Sequence, residues 1–435
     1  MPGSPSLAAD GPAVRRDLAL ATWGLFVGLA LLMLAAGLFG TALGVRSERV
    51  GLPTAVSSLI SAAYYIGFLV GSRLTLRSLG RVGHIRVYAA LASTLAAAMV
   101  AVGITGHAGW WVVLRLLTGL CTAGLYVVAE SWLNDLATNE NRGRLLAVYG
   151  VVTILFFGLG QILLAAVEGR LIMSFAIAGI LTSLAVAPVA LSEDAVAPKV
   201  ERTSNVSLRD LARTVPTGVY SCLLIGVAHG AMTGMAAIYA TRVGMRAGAI
   251  GLFVALPSIG SVILQWPISR ASDDLDRRVV GFAAAVGTIG AGAALVVLEP
   301  GHPATFLCMA ALGGLSYPLY SIAAAYTNDW IEPAHLNAAA SQLVTLYGLG
   351  AVAGPFVAAG AMIALGPDGF FWALVGLHGV IAAYLFYRIL AWRSPIAKRP
   401  WREVSLPARA FFVPATIISM GVRRRRQRRE PPPEQ

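Results

Sequence analysis

Long apolar runs broken by short polar connectors set the organisation of this chain. A helix needs about 20 mostly apolar residues to cross a hydrocarbon layer, and twelve runs have that length: 19 to 40, 54 to 76, 87 to 105, 110 to 133, 145 to 166, 171 to 191, 216 to 240, 249 to 270, 279 to 298, 304 to 327, 337 to 365 and 369 to 392. The pattern predicts an all-α polytopic membrane protein. Residues 1 to 17 are rich in Pro, Gly and Ala and end on Arg15 and Arg16. The apolar run behind them is longer than the core of a signal peptide, so it reads as a retained first span.

The longest interior connector, 192 to 215, is polar and charged and divides the spans six and six. The expected units are an N-terminal tail (1 to 18), a first six-helix bundle (19 to 191), a linker (192 to 215), a second bundle (216 to 392) and a basic tail (393 to 435). An internal repeat supports the division. A shift of 193 positions lays Gly67 on Gly260 and Arg77 on Arg270; a shift of 194 lays Gly119 on Gly313, Tyr126 on Tyr320, Asn134 and Asp135 on Asn328 and Asp329, and Gly160 on Gly354. Six is an even number, so both copies keep the same orientation and form a parallel repeat about an axis along the membrane normal.

Composition agrees: 57% hydrophobic residues, 12% charged residues and a mean hydropathy of +0.73 are incompatible with a water-soluble globule. A net charge of +12 and a pI near 10.0 raise the question of nucleic acid. The basic residues, however, lie in short connectors and the tail rather than on one water-facing surface, which excludes that partner. Most of the 33 Lys and Arg fall on the side of the two chain ends, against Arg46, Arg49, Arg170, Arg242 and Arg246 on the other. That bias places both termini in the cytoplasm and the protein in the inner cell membrane. In the tail, Phe411 to Met420 is too short to cross a bilayer. Arg423 to Arg426 with Arg428 and Arg429 either grip anionic lipid or form a solvated, topology-setting end.

Cys121, Cys222 and Cys308 are scattered inside apolar runs, with neither disulfide nor metal-ligand spacing. No P-loop or nucleophilic triad is present, so neither ATP-driven transport nor hydrolase chemistry is supported. The expectation is a non-enzyme, without cofactor or metal, acting as a monomer.

Charge inside the spans is expensive and marks candidate function. In the fourth span Arg115, Gly119, Thr122, Tyr126 and Glu130 recur at spacings of four, three, four and four, one stripe of a helix that faces a cavity rather than lipid. At 1.5 Å per residue Arg115 and Glu130 stand about 22 Å apart and cannot pair. Arg115 either binds substrate or coupling ion, or snorkels outward past Trp110 and Trp111. Glu130 is either an interfacial carboxylate beside an arginine or part of an inside gate. In that gate Glu130 and Asp135 pair with Arg81 or Arg86 and with Arg142 or Arg144. In the second half His229 is a candidate proton sensor or a carbonyl-bonded core histidine. Gln161, Gln265 and Gln342 are amides that bind substrate or join helices. Tyr64, Tyr65, Tyr126, Tyr317 and Tyr320 are candidates to line an amphipathic cavity, and Pro257 and Pro318 are expected to kink their spans.

Three local features resemble the major facilitator superfamily of secondary transporters. Arg115-Leu-Leu-Thr-Gly119 is similar to its RxxxG signature, and Ser272-Asp-Asp-Leu-Asp-Arg-Arg278 resembles its gating loop, with Asp273 at the acidic position and Arg277 and Arg278 closing it. The first-half copy, Leu79 to Arg86, carries Gly80 where the family has Asp. The stretches VAESWLND, NRGRLLAVYG, LGQILL, LQWPISRASDD and LSYPLYS resemble the YcaD-like bacterial branch more closely. The resemblance implies a twelve-helix transporter whose two bundles rock around a central site, with Arg115 in proton coupling. The expected function is proton-coupled movement of a small solute, with efflux of an amphipathic organic compound as the first direction. The alternatives are uptake or uniport with Arg115 on an anionic group, and a receptor or scaffold that signals through its tail.

Overall fold

In the computed structural model, residues 12–137, 141–167, 170–191, 207–332 and 335–391 are described. Twelve helices among them are long and apolar enough to cross a membrane. The first bundle holds Thr22–Arg49, Thr54–Thr75, His84–Ile104, Ala108–Leu136, Leu145–Val167 and Leu171–Ala190. The second holds Pro216–Arg242, Ala247–Asp274, Arg277–Val297, Pro303–Trp330, Ala338–Leu365 and Gly369–Ala391. Odd-numbered spans run from the face where the chain enters the first span, the termini face, to the opposite, distal face.

Breaks in the helices have local causes. The tenth span is cut between Ser316 and Pro318, because proline lacks the N–H that would continue the ladder. Pro257, also expected to kink its span, is carried inside a continuous helix, Ala247–Asp274. The first and seventh spans end in matching turns, with Gly51 at φ 71 and Gly244 at φ 78, a left-handed conformation that costs glycine nothing. Of the expected linker, a short helix Leu208–Thr214 is present, capped by Ser207 Oγ accepting from the Asp210 amide at 3.1 Å. The remainder, 192 to 206, and the basic tail lie outside the described residues.

The repeat visible in the sequence is a repeat of backbone contacts. A Cβ on Gly119 would lie 2.0 Å from the Tyr64 carbonyl oxygen, and one on Gly67 1.9 Å from that of Leu116, so the second and fourth spans touch backbone to backbone. Their mates behave alike: a Cβ on Gly260 would sit 1.9 Å from the Ala310 carbonyl oxygen and one on Gly313 2.1 Å from Pro257 Cα. Gly160 against Leu34 and Gly354 against Val227 do the same for the first and fifth and for the seventh and eleventh spans. In lipid, where apolar side chains gain little by leaving the bilayer for one another, such close approach is a main source of helix association.

The bundles meet through the first and seventh, the second and eleventh, and the fifth and eighth spans. Between described residues, the side-chain hydrogen bonds and ion pairs that cross from one bundle to the other all lie in the distal half. They are Ser61 Oγ to the Gly234 carbonyl at 3.0 Å, Tyr65 with Thr233, and Arg242 with Glu48 and Thr54. The molecule is therefore latched at its distal face.

Candidate functional site

A cavity lies beneath that latch, with about 880 Å³ of space free of protein atoms when the adjoining open solvent is included. The first bundle supplies most of its wall through Phe39, Ser57, Tyr64, Arg115, Phe157 and Gln161, and the second closes it with Thr233, Gly234, Ala237 and Val254. Among the described residues that line it, Arg115 is the only charged one.

Arg115 sits seven residues into the helix Ala108–Leu136, about 10 Å below its start. Its guanidinium lies 4.4 Å from the Tyr64 ring centroid and 5.5 Å from that of Phe39. Gly119, one turn on, makes this possible, because without a side chain there the second span closes in and brings Tyr64 over the arginine. The arginine of the RxxxG pattern thus holds the charge and its glycine sets the ring against it. A desolvated cation–ring contact contributes about 2 kcal/mol, less than the roughly 2.5 to 3.5 kcal/mol that a central charge costs on the insertion scale. The Arg115 Nε is buried and has no hydrogen-bond partner.

The outward, snorkelling alternative for Arg115 is overturned, since the side chain turns in over two rings. The expected aromatic belt also needs correction. Trp110 is 59% exposed, but Trp111 is 1% exposed and its indole N–H donates to the Thr105 carbonyl at 3.0 Å.

Of the other substrate or coupling candidates, Gln161 lines the cavity, is 6% exposed and leaves its Oε1 without a partner. Tyr126 points into the first bundle, where its hydroxyl donates to Met33 Sδ at 3.0 Å. Glu130 is 2% exposed and accepts a long 3.4 Å bond from the Tyr149 hydroxyl. Tyr320 is buried in the second bundle, its ring 5.1 Å from that of Tyr347.

His229 belongs to a separate chain of hydrogen bonds within the second bundle. His378 Nδ1 lies 2.8 Å from the Leu374 carbonyl and so must carry the proton, which leaves its Nε2 to accept from Ser316 Oγ at 2.8 Å. Ser316 Oγ then accepts from His229 Nε2 at 3.1 Å, and His229 Nδ1 accepts from the Tyr347 hydroxyl at 3.0 Å. Two neutral histidines satisfy every member, so the network stabilises the core of the second bundle.

At the termini face the ion pairs between described residues stay within one bundle. Arg277 reaches Asp329 at 2.7 Å and Asp273 at 3.2 Å, and Arg278 holds Asp276 at 2.7 Å and the Arg388 carbonyl at 2.8 Å. In the first bundle Asp135 lies 3.6 Å from His84 Nε2. Gly83, at φ 89, ends the second helix and begins the third with His84 on its buried side. Arg81 and Arg86 are exposed and form no ion pair among the described residues, so the expected pairing of Asp135 with either is not the one made here. The side chains of Arg142 and Arg144 lie outside the described residues.

Sequence reasoning missed the distal latch. Arg242 and Arg46 were expected only as connector charges opposite the cytoplasmic side. Arg46 instead donates to the Val102, Gly103 and Thr105 carbonyls at the end of the third span, and Arg242 forks onto Glu48 with both bonds at 2.8 Å. The repeat gave no signal for the pair, because the 193 shift that relates these two spans lays Arg49 on Arg242 and Glu48 on Thr241.

The Major Facilitator Superfamily model matches residues 25–248 and 222–428. The chain is 30% identical over 345 residues to the uncharacterized MFS-type transporter YcaD of Salmonella typhimurium, covering 77% of this chain and 87% of that relative. Among solved structures, the nucleoside transporter NupG (D323A mutant) superposes with a TM-score of 0.72 at 12% identity, over 86% of this chain and 100% of its own. A bacterial homolog of the human lysosomal transporter Spinster, inward-facing and occupied, superposes at 0.69 with 12% identity, over 89% and 100%.

Proposed function

This chain belongs to the Major Facilitator Superfamily and is a multi-pass membrane transporter rather than an enzyme, and from that premise we propose that a small solute crosses through the Arg115 cavity by proton-coupled rocking of the two bundles. The observation that carries the reading is the distribution of cross-bundle bonds. Between described residues they gather above the cavity at the distal face, and the ion pairs that such residues form with one another at the termini face stay within one bundle. Rigid bundles joined at one end of a central cavity have the parts that alternating access needs.

The excess of Lys and Arg on the side of the termini supports cytoplasmic ends, which makes this arrangement inward-facing. Glu130, a nearly buried carboxylate in a membrane-spanning helix, is the group we assign to proton coupling.

Purified protein in proteoliposomes tests the reading. Solute counterflow should exchange label across the membrane, and an imposed pH gradient should drive net accumulation. The gradient polarity that works reports direction, export being the sense favoured by the sequence. Glu130→Gln should keep exchange and lose gradient-driven accumulation. Wild-type accumulation in that variant rejects the coupling role, and absence of exchange by the wild type across a broad solute panel rejects transport through the cavity.

A further inference from the structure

Three buried polar atoms without a hydrogen-bond partner line the one cavity: Arg115 Nε, Gln161 Oε1 and Ser57 Oγ. Other buried polar atoms among the described residues also lack a partner, but they are scattered, whereas these three share one surface and together describe the complement of a ligand. Arg115 is a fixed donor with a permanent positive charge and no carboxylate in the lining to answer it. Gln161 Oε1 can only accept, and Ser57 Oγ does either. Ser57 precedes Tyr64 by seven residues in the helix Thr54–Val82, which puts it about 10 Å nearer the distal face than the ring under Arg115. Between these points the wall is apolar: Phe39, Ile60, Met99 and Phe157.

We propose that the solute is an organic monoanion. Its carboxylate or equivalent group docks on Arg115, its aromatic or aliphatic body lies against Phe39, Tyr64 and Phe157, and a hydroxyl or amide N–H at its other end donates to Gln161. A dianion would leave one charge unanswered in a wall that holds a single cation, and a small inorganic anion would lose its hydration to apolar side chains with no return. An amine cation meets only the guanidinium charge. The binding proposal rests on the transport reading only in treating the bound molecule as cargo.

The experiment compares matched probes on the detergent-purified full chain by thermal shift and calorimetry. They are 4-hydroxycinnamate and 6-hydroxy-2-naphthoate, the neutral amide of each, cinnamate, and tyramine. Both hydroxylated anions should raise the melting temperature, and their amides and tyramine should not. Arg115→Lys, which keeps the charge and loses the planar fork, should weaken 4-hydroxycinnamate about tenfold, and Arg115→Gln should abolish binding. Gln161→Leu should weaken 4-hydroxycinnamate and leave cinnamate unchanged, a selective effect that a folding defect does not produce. The proposal is overturned if neither anion stabilises the protein, if the amides stabilise it equally, or if Gln161→Leu affects both cinnamates alike. Counterflow separates the two readings: anions that bind but never move reject transport and keep the site, whereas movement of the amides alone rejects the anion and keeps transport.

Discussion

Loss of the Glu48 charge should open the distal face. Arg242 donates from Nε and from a terminal nitrogen to the two carboxylate oxygens, both at 2.8 Å, and also to Thr54 at 3.0 Å. The pair is partly shielded, with side chains 23% and 19% exposed, so the direct attraction of about 4 kcal/mol at an effective dielectric constant of 20 is largely offset by desolvation. A net contribution of about 1.5 to 3 kcal/mol remains for charged hydrogen bonds of this geometry. Since the latch exists only when the distal ends are together, Glu48→Gln should move the equilibrium toward the distally open state by roughly 10- to 100-fold. Thr41 lines the cavity beneath the latch and is buried, so Thr41→Cys, in a background with Cys121, Cys222 and Cys308 replaced, reports access. Its reaction with a membrane-impermeant maleimide added at the distal side should accelerate in Glu48→Gln and in Arg242→Gln. The double variant should add little to either, and exchanging the charges (Glu48→Arg with Arg242→Glu) should restore slow labelling. An unchanged rate in Glu48→Gln, or an exchanged pair as reactive as the single variants, refutes the latch.

Other outcomes follow from the packing. Gly119→Ala forces a Cβ against the Tyr64 carbonyl and should cost about 1 to 3 kcal/mol of stability, whereas Gly158→Ala, with nothing within 4 Å, should be nearly neutral; thermal unfolding in detergent compares them. Ser316→Ala strands His378 Nε2, while His229 Nε2 keeps the Ser316 carbonyl at 3.2 Å, and should destabilise by about 1 to 3 kcal/mol; an unchanged melting temperature would contradict the assigned bond directions. Asp329→Asn neutralises the 2.7 Å partner of the buried Arg277 but leaves Asp273 at 3.2 Å, so it should destabilise the second bundle by about 1.5 to 3 kcal/mol, read as faster proteolysis of the chain between the eighth and ninth spans.

Spans, repeat and paired glycines were legible because they obey one-dimensional rules: length against bilayer thickness, and small residues at matched positions. The stripe through Arg115 and Glu130 was legible as a helix face, but not its fate along the helix. The helix carries Arg115 into the cavity and Glu130 into its own bundle beside Tyr149, a difference set by neighbours far away in sequence. Tyr65 and Thr233, 168 positions apart, are joined across the bundles, and no spacing rule points from one to the other. Ser57 was invisible for a different reason: serine is common in spans, bonded back to its own helix as Ser58 is to the Ala55 carbonyl, and only three dimensions show that Ser57 is not.

The first and seventh spans repeat at a shift of 193, as the turn glycines Gly51 and Gly244 and the paired contacts of Leu34 and Val227 show, so Arg49 lies on Arg242 and Glu48 on Thr241. The latch therefore joins non-equivalent positions of the two halves. In a symmetric dimer of identical chains an offset contact of this kind would occur twice, once on each side of the axis. Here Thr241 stands where the second carboxylate would be, so the charged closure is one-sided, and a single substitution at Glu48 removes all of it.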